Sequence, residues 1–459
     1  MTFRKIGSLS ALMLLIPMFA MLASRSGVVR AQDATPAAVN TEVSGTIDVG
    51  MVANPQMVAL QENIDAFNAL YPNVTVNLTV LPENEIRQVI TQDIAGEAGQ
   101  FDVVTIGTFE VPIWAENGWI EEVGEEAAAD VAYDLNDIFQ PHRDGLSYDG
   151  GLYGLPFYGE SSMTFYRTDL FEAAGLTMPE RPTWTQIAEF AEALHNPDEG
   201  QYGICLRMLP GWGQQLAPMT TVINAFGGRW FDEEWNAQLD SDESSAAINF
   251  YLDLVTNYGQ PGAQDSGFTE CETLFEQGQV AMWYDATSAA ELVSADTSSV
   301  AANVGFAYPP TEVGPTNWLW NWSFAMASTS DQQEAALAFM TWATSKEYFQ
   351  TIVEADGYGR APTGARQSTY DDPGYAEFAG AFAGIVQTAI SESNPTEPTV
   401  DPVPYTGGQF VRIPEFQGLG DSVAQLFAAA YVGDSTVDEA IAEANELANQ
   451  VAEEGGYQE

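Results

Sequence analysis

Strands and helices alternate regularly near the start of this chain, and this alternation constrains its fold more than any other feature. Apolar runs of strand length and segments of helical periodicity follow one another in the order Thr46–Val52, Gln56–Leu70, Val74–Val80, Asn84–Ile94 and Asp102–Ile106. A strand, a helix and a strand in this order form a parallel pair. We therefore predict a mostly parallel sheet with helices on both faces. Ligands of such sheets bind beyond the carboxyl ends of the strands, here at 54–57 and 107–110.

A second α/β block follows, from about Tyr158 to Tyr308. Its predicted helices and strands are Trp184–Ala193, Tyr202–Leu206, Ser244–Tyr258 and Val280–Tyr284. Arg207 and Asp285 come directly after its strands. With 459 residues the chain is too long for one ordinary core, so we expect two domains.

The connection between the two blocks carries polar side chains. It reads GLYGLPFYGESSMTFYRTDLFEAAGL over 151–176. Glycine and proline interrupt two short strands there, so Tyr158 and Glu160 are expected to project from a bend. Thr168 then begins a helix that ends at Gly175.

The first 31 residues have the pattern of an export signal. Two basic residues precede the apolar run Ile6–Ala23, and small residues lead up to a cleavage site after Ala31. An uncleaved membrane anchor is the alternative, because the run is about as long as the shortest membrane span. Residues 32–43, rich in Ala, Thr and Pro, are predicted to form a flexible leader.

The formal net charge of −51 excludes several classes of partner. Four of the 14 basic residues lie in the predicted signal, so ten remain in the mature chain. Such a surface repels nucleic acid and anionic membranes and suits anionic substrates poorly. It fits a salty or an acidic exterior, and the composition does not distinguish the two. We expect stability near neutral pH to fall at low ionic strength.

Cysteine and histidine are scarce. Cys205 and Cys271 are the only cysteines, and they are either a disulfide of an exported protein or two buried thiols. His142 and His195 are the only histidines and lack a ligand-like spacing, so we expect no metal site. Lys346 is the only lysine of the predicted mature chain, which excludes a phosphate-binding loop. We expect no cofactor.

Polar and aromatic residues near the predicted strand ends form a candidate site for a neutral polyhydroxyl ligand. A carboxylate accepts hydrogen bonds from neighbouring hydroxyls, an arginine donates in a planar fork, and a tryptophan face covers C–H groups. Arginine is informative because basic residues are so few, although pairing with a nearby carboxylate is the alternative for Arg207 and Arg360. The candidate residues are Asn54, Glu110, Tyr158, Glu160, Arg207, Trp212, Asp285, Trp320 and Arg360.

Two further observations refine this set. Trp318, Trp320 and Trp322 alternate in NWLWNWSF and so share one face of a strand. We assign Trp320 to the ligand and the other two to core or hinge packing. Trp212 lies in a glycine-rich loop, where a large aromatic side chain has little to pack on. Arg87 is interpreted as a structural ion pair within a helix.

A secreted glycoside hydrolase is the alternative from another class, since two carboxylates flanking a sugar are what that chemistry needs. Glu110, Glu160 and Asp285 are candidates for such a pair. Acidic residues are so common here that their presence carries little weight. The chain has no G-x-S-x-G motif, and its two histidines exclude most catalytic triads. We predict a protein that is not an enzyme.

Several segments resemble family 1 extracellular solute-binding proteins of ABC importers, in particular their sorbitol and mannitol branch. They are GESSM at 159–163, YGICLRMLPGWG at 202–213, AMWYDAT at 281–287, NWLWNWSFA at 317–325 and VPYTGGQFVRIPEFQ at 403–417. The resemblance implies a periplasmic-binding-protein-like II fold with two α/β lobes joined by a three-segment hinge. It places lobe I at 44–157 and 318–390 and lobe II at 158–317 and 391–459.

The resemblance also implies a function. Such a protein captures a sugar alcohol between closing lobes and delivers it to the permease subunits of an ABC importer, as a monomer in the periplasm or at the cell surface. A mono- or disaccharide is the alternative ligand. Positions from which family members contact ligand match Glu110, Glu160, Arg207, Trp212 and Asp285. Loss of Glu160 or Arg207 is then expected to weaken binding without changing the melting temperature.

Overall fold

The computed structural model describes residues 39–458, so the predicted signal at 1–31 and residues 32–38 of the leader lie outside the described residues. This part of the chain contains eleven strands, which alternate with helices along most of its length. The strands are β1 Gly45–Val52, β2 Val74–Leu81, β3 Val103–Ile106, β4 Ser147–Tyr148, β5 Gly151–Leu152, β6 Leu155–Glu160, β7 Ser162–Arg167, β8 Tyr202–Cys205, β9 Val280–Ala286, β10 Val304–Ala307 and β11 Trp320–Met326.

Nineteen α-helices accompany them in the described residues. They are α1 Pro55–Glu62, α2 Asp65–Leu70, α3 Glu83–Ala95, α4 Glu110–Glu116, α5 Gly124–Ala129, α6 Gln140–Gly145, α7 Thr168–Ala174, α8 Trp184–Leu194, α9 Leu216–Ala225, α10 Asp242–Tyr258, α11 Phe268–Glu276, α12 Ala290–Ser294, α13 Gln333–Ala343, α14 Lys346–Asp356, α15 Gln367–Asp371, α16 Pro373–Phe378, α17 Ala383–Glu392, α18 Phe416–Val432 and α19 Val437–Glu454. Short 3-10 turns lie at 135–137, 197–199, 263–265, 287–289, 301–303 and 358–360.

The larger sheet has five strands in the order β2, β1, β3, β11, β6. Strand β1 runs parallel to β2 and β3, and β11 runs antiparallel to both β3 and β6. All four residues of β3 are buried, as expected for a strand covered by helices on both faces. Four of the five strands therefore run in the same direction, as predicted, and β11 alone runs against them. We call this sheet and the helices packed on it the first half of the molecule.

The smaller sheet has four strands in the order β10, β7, β9, β8. Strand β8 is parallel to β9, whereas β7 is antiparallel to its two neighbours. A disulfide joins Cys205 at the end of β8 to Cys271 in α11, with the two Cα atoms 5.6 Å apart. The structure therefore decides between the two alternatives for the cysteines. We call this sheet and its helices the second half.

Three segments connect the halves. The first is Ser161 alone, since β6 belongs to the first sheet and β7 to the second. The second runs from the end of β10 to the start of β11, and the third lies between α14, which packs against α1 and α13, and α17, which packs against β7. The lobe boundary predicted at 157 and 158 falls inside β6, and the lobe limits as a whole stay a prediction.

Most predicted elements differ from the observed ones only at their ends, but the predicted helix Gln56–Leu70 is two helices. The side chain of Asn63 donates to the carbonyl of Ala59 at 2.9 Å, and α2 begins only at Asp65. A local side-chain bond of this kind competes with the continuation of a helix. Within residues 39–458, no helix is both long enough and apolar enough to cross a bilayer.

Candidate ligand-binding cleft

A cavity of about 310 Å³ lies between the two halves. Asn54, Glu83 and Arg87 of the first half line it, together with Arg207 and Gln214 of the second half. The volume is at the lower end of the roughly 300–1,000 Å³ found for small-molecule sites. The cavity is therefore suited to one small ligand that contacts both halves.

Two cross-strand pairs form the floor of the cleft. Trp320 of β11 lies opposite Glu160 of β6, and Trp322 lies opposite Tyr158. Because alternate residues of a strand point to the same face, all four side chains face the cavity. Trp318, just before β11, also lines it. The prediction kept only Trp320 for the ligand, but the structure brings all three tryptophans to the cleft.

Glu160 is the buried acid of this floor, with 7% of its surface exposed. Ser288 of the second half donates to Glu160 Oε2 at 2.5 Å. Burial raises the pKa of Glu160 to about 8, even though the Ser288 hydrogen bond and Arg207 favour the charged form. Near neutral pH the carboxyl therefore holds a proton and is able to donate to a ligand oxygen as well as to accept from a hydroxyl.

Asn54 and Tyr158 form a second polar group in the cleft. Asn54 caps α1, because its Oδ1 accepts from the backbone N–H of Met57 at 2.9 Å. Its Nδ2 donates to the hydroxyl of Tyr158 at 2.9 Å. Burial raises the pKa of Tyr158 well above its ordinary value, so the phenol stays protonated. Its own O–H is thus held ready for an acceptor.

Arg207 is fixed within the second half. Its Nε donates to Asp285 Oδ2 at 2.9 Å, its Nη2 donates to the other oxygen of Asp285, and its Nη1 donates to the carbonyl of Gly213 at 2.9 Å. Burial disfavours the charged guanidinium, but Asp285 outweighs burial and raises the pKa of Arg207. Asp285 is fully buried and also accepts from the indole of Trp283. It therefore supports Arg207 from behind the cavity wall.

Arg87 occupies the equivalent place in the first half. Its Nη1 donates to Glu110, and its Nε donates to Glu83 at 3.0 Å. The guanidinium lies 4.3, 5.0 and 4.6 Å from the ring centroids of Trp212, Trp320 and Trp322, within range of a cation–π interaction. The interpretation as an ion pair holds, but Arg87 also lines the cavity. Glu110 lies behind it.

The nine predicted site residues fall into three groups. Six of them line the cavity, and Glu110 and Asp285 hold the two cleft arginines from behind. Arg360 lies outside the cavity, where it pairs with Glu62 at 2.6 Å. The six lining residues are Asn54, Tyr158, Glu160, Arg207, Trp212 and Trp320.

Sequence reasoning missed other lining residues, among them Glu83, Arg87, Gln214, Ser288, Trp318, Trp322 and Gln409. One signal for Arg87 was present. The scarcity of basic residues, which favoured Arg207, applies to Arg87 equally. No group of three or more His, Cys, Asp or Glu side chains in residues 39–458 is arranged to hold a metal ion.

The chain belongs to the bacterial extracellular solute-binding proteins, because the model of that family matches residues 54–348. Its two-sheet α/β architecture is the periplasmic-binding-protein-like II fold, as predicted. The chain is 43% identical to a mannitol-binding protein of Pseudomonas aeruginosa, over 90% of this chain and 94% of that protein.

Solved structures of solute-binding proteins also resemble this chain over most of its length. A solute-binding protein of an ABC transporter from Agrobacterium vitis, crystallised with D-mannitol, is 44% identical and superimposes with a TM-score of 0.88. The match covers 90% of this chain and 100% of that one. A protein from Agrobacterium radiobacter in complex with ribitol shares the fold at 24% identity and a TM-score of 0.79, over 90% of this chain and 100% of that one.

Proposed function

We propose that this protein is the substrate-binding component of an ABC importer and that its ligand is a sugar alcohol of the mannitol and sorbitol type. It acts outside the cytoplasmic membrane, in the periplasm or at the cell surface, and passes its ligand to the permease subunits. It carries out no covalent chemistry on the ligand. The ligand-binding residues are the six predicted residues that line the cavity, together with Arg87, Trp318 and Trp322.

The charge balance of the cleft carries this proposal. Each of the two cleft guanidiniums already has a buried carboxylate partner, Glu110 for Arg87 and Asp285 for Arg207. Neither arginine therefore offers an uncompensated positive charge to a phosphate or a carboxylate. The same groups donate well to neutral hydroxyl oxygens. The protonated Glu160 adds no charge and exchanges hydrogen bonds with hydroxyls.

The tryptophans provide the apolar contacts that recognise the ligand. A polyol presents C–H groups between its hydroxyls, and flat apolar faces cover them and exclude water. In a dry site each polar group that lacks a partner costs about 1–3 kcal/mol, so a ligand with the wrong hydroxyl pattern binds weakly. The mannitol-binding protein of Pseudomonas aeruginosa and the mannitol-bound protein of Agrobacterium vitis support a hexitol as the ligand.

We also propose that the two halves move as lobes, the first built on the five-stranded sheet and the second on the four-stranded sheet. Cross-half hydrogen bonds such as that from Gln56 Nε2 to the carbonyl of Ser288, at 3.2 Å, form when the lobes close. A ligand that contacts both halves stabilises the closed state. Small-angle scattering is expected to show a smaller radius of gyration when mannitol is added.

Isothermal titration calorimetry against mannitol, sorbitol, arabitol, glucose, maltose and glycerol 3-phosphate tests the ligand class. We expect one hexitol to bind with a stoichiometry of one and glycerol 3-phosphate not to bind. Reducing-sugar release is assayed in parallel with disaccharide substrates. Preferential binding of glucose or maltose would overturn the polyol assignment, and release of reducing sugar would overturn the assignment as a binding protein.

A further inference from the structure

Two hydrogen bonds connect the halves at one wall of the cavity. Asn84 Nδ2 donates to the carbonyl of Pro210 at 2.9 Å, and Gln214 Nε2 donates to Glu83 Oε2 at 2.8 Å. Glu83 and Asn84 begin α3 of the first half, whereas Pro210 and Gln214 belong to the loop between β8 and α9 of the second half. We call this contact the cleft wall, formed by Glu83, Asn84, Pro210 and Gln214.

The loop backbone lies against the side-chain ends of Glu83 and Asn84 at two glycines, where an added Cβ atom would force these side chains to shift. A Cβ atom on Gly213 would lie 2.2 Å from Glu83 Oε1, and a Cβ on Gly211 would lie 2.7 Å from Asn84 Oδ1. Real Cβ atoms do not approach other heavy atoms to these distances. The glycines of the segment LPGWG therefore let the two halves meet without a gap.

The contacts become less exposed from the solvent towards the cavity. The bond from Asn84 to Pro210 is exposed, the bond from Gln214 to Glu83 is partly buried, and the ion pair of Arg87 with Glu110 is buried. This order places the cleft wall on the solvent side of Arg87, at an edge of the cleft that we call the mouth. Glu83, Asn84 and Gln214 all line the cavity, so they limit how far a bound ligand is able to extend.

Each half holds its own part of the wall in place. Arg87 Nε donates to Glu83 at 3.0 Å, and the backbone N–H of Phe268 donates to Gln214 Oε1 at 3.1 Å. The two side chains are thus oriented before they meet. A ligand that projected through the mouth would separate them and leave the Glu83 carboxylate without the Gln214 donor, which is costly in a partly buried place.

We propose that Asn84 and Gln214 are specificity-determining residues that set the maximum length of the ligand. The cleft wall closes over a single free polyol and excludes a polyol that carries a glycosyl group. This inference rests on the proposed polyol-binding function and adds a length limit to it. The limit is imposed by contacts between protein groups and not by contacts of these groups with the ligand hydroxyls.

The test compares mannitol with maltitol, a hexitol that carries a glucosyl group, by calorimetry on the full mature chain. We expect the unaltered protein to prefer mannitol by at least 100-fold. In the double variant Asn84→Ala with Gln214→Ala, both hydrogen bonds across the cleft wall are lost, one of them to the Glu83 carboxylate, and space opens at the mouth. Mannitol affinity is expected to fall about tenfold while maltitol affinity rises. The ratio of mannitol affinity to maltitol affinity is therefore expected to fall at least tenfold.

Thr91→Ala is the matched control. Thr91 Oγ1 contacts Gln417 Oε1 at 3.3 Å across the two halves, but neither residue lines the cavity. This variant is expected to weaken both ligands equally and leave the preference unchanged. Asn84→Ala alone removes only the exposed bond and is the second variant, in case the double variant does not fold.

The outcomes separate the two proposals. If the unaltered protein binds maltitol as tightly as mannitol, the length limit is wrong and the polyol function stands. An unchanged preference in a folded variant also overturns the role of the cleft wall, as does a narrowed preference in Thr91→Ala. If no polyol binds to the unaltered protein, the proposed function fails, and the length limit fails with it.

Discussion

Each half of the molecule places one buried arginine in the cleft, but the two arginines are held differently. The side chain of Arg207 donates three hydrogen bonds, all to groups of its own half. Arg87 is paired with Glu83 and Glu110 in its half, but one of the three indoles around it, that of Trp212, comes from the other half. All hydrogen bonds of Arg207 thus lie within its own half, and the one indole near it, that of Trp318 at 5.9 Å, belongs to the connection between the halves. Arg87 instead has an indole of the other half at 4.3 Å.

Because of this difference, we expect one arginine to act mainly on protein stability and the other mainly on ligand binding. A group whose partners all lie in one half contributes to the folding of that half whether or not the cleft is closed. A group whose partners come from both halves contributes to the free energy of closing. We therefore expect Arg207 to matter most for the stability of the ligand-free protein and Arg87 to matter most for affinity.

Replacement of Arg207 is the strongest test of this contrast. Arg207→Ala leaves the fully buried Asp285 without its charged partner. Removal of one member of a buried pair costs roughly 3–5 kcal/mol. We expect the free energy of unfolding of the ligand-free protein, measured by urea denaturation, to fall by that amount. This revises the expectation from the sequence that the melting temperature would not change. A loss below about 1 kcal/mol would show that Asp285 finds other partners.

Arg87→Ala is expected to act mainly on binding. Glu110 keeps the backbone N–H of Gly107 as a donor at 2.9 Å, and Glu83 keeps Gln214. Asp285 also keeps two donors in the first variant, the indole of Trp283 and the backbone N–H of Ala286. The two variants differ because Arg207 binds both oxygens of Asp285, whereas Arg87 binds only one oxygen of Glu110. Loss of a buried donor and of its stacking on Trp212 is expected to weaken mannitol binding by about 1–3 kcal/mol, measured by calorimetry. Equal stability losses in the two arginine variants would remove the contrast between the halves.

Glu160 lies between the two halves, and its protonation is expected to make ligand affinity depend on pH. Burial between the halves raises its pKa to about 8, so the proposed closure takes up a proton that a solvated carboxyl has already lost. Affinity for the ligand is therefore highest at pH values below the ordinary pKa of a glutamate. It declines as the pH rises from that value towards 8. The slope is at most one proton, or about tenfold in affinity per pH unit.

Glu160→Gln is the control for this dependence, because the amide has a similar shape and does not titrate. Its affinity for mannitol is expected to be flat between pH 5 and pH 8 in calorimetric titrations, a window chosen around the ordinary and raised pKa values. A pH dependence that survives in this variant would assign the proton to another group.

The sequence predicted the fold well because the signals for it are local. The alternation of strands and helices and the stop of α7 at Gly175 are each read within a few residues. The division of the predicted helix at Asn63 depended on one side-chain hydrogen bond, which no periodicity shows.

The site was harder to predict because it depends on pairing over long distances. Trp320 and Glu160 are neighbours only because β11 lies beside β6. Arg87 was assigned to a structural ion pair because its helix pattern is ordinary, and nothing near it in sequence points to three indoles. The disulfide of Cys205 with Cys271 joins residues 66 positions apart, and spacing alone could not establish it.

Arg360 gives the smallest expected effect and tests the comparison from outside the cleft. It pairs with Glu62 at 2.6 Å and approaches Asp356 at 3.6 Å, and 31% of its side chain and 56% of that of Glu62 are exposed. Solvent screens such pairs, which contribute roughly 0–1 kcal/mol. Arg360→Ala is therefore expected to lower the free energy of unfolding by less than 1 kcal/mol in urea and to leave mannitol affinity unchanged. If affinity instead falls tenfold, the ligand reaches beyond the cavity, and the contrast must include a third arginine.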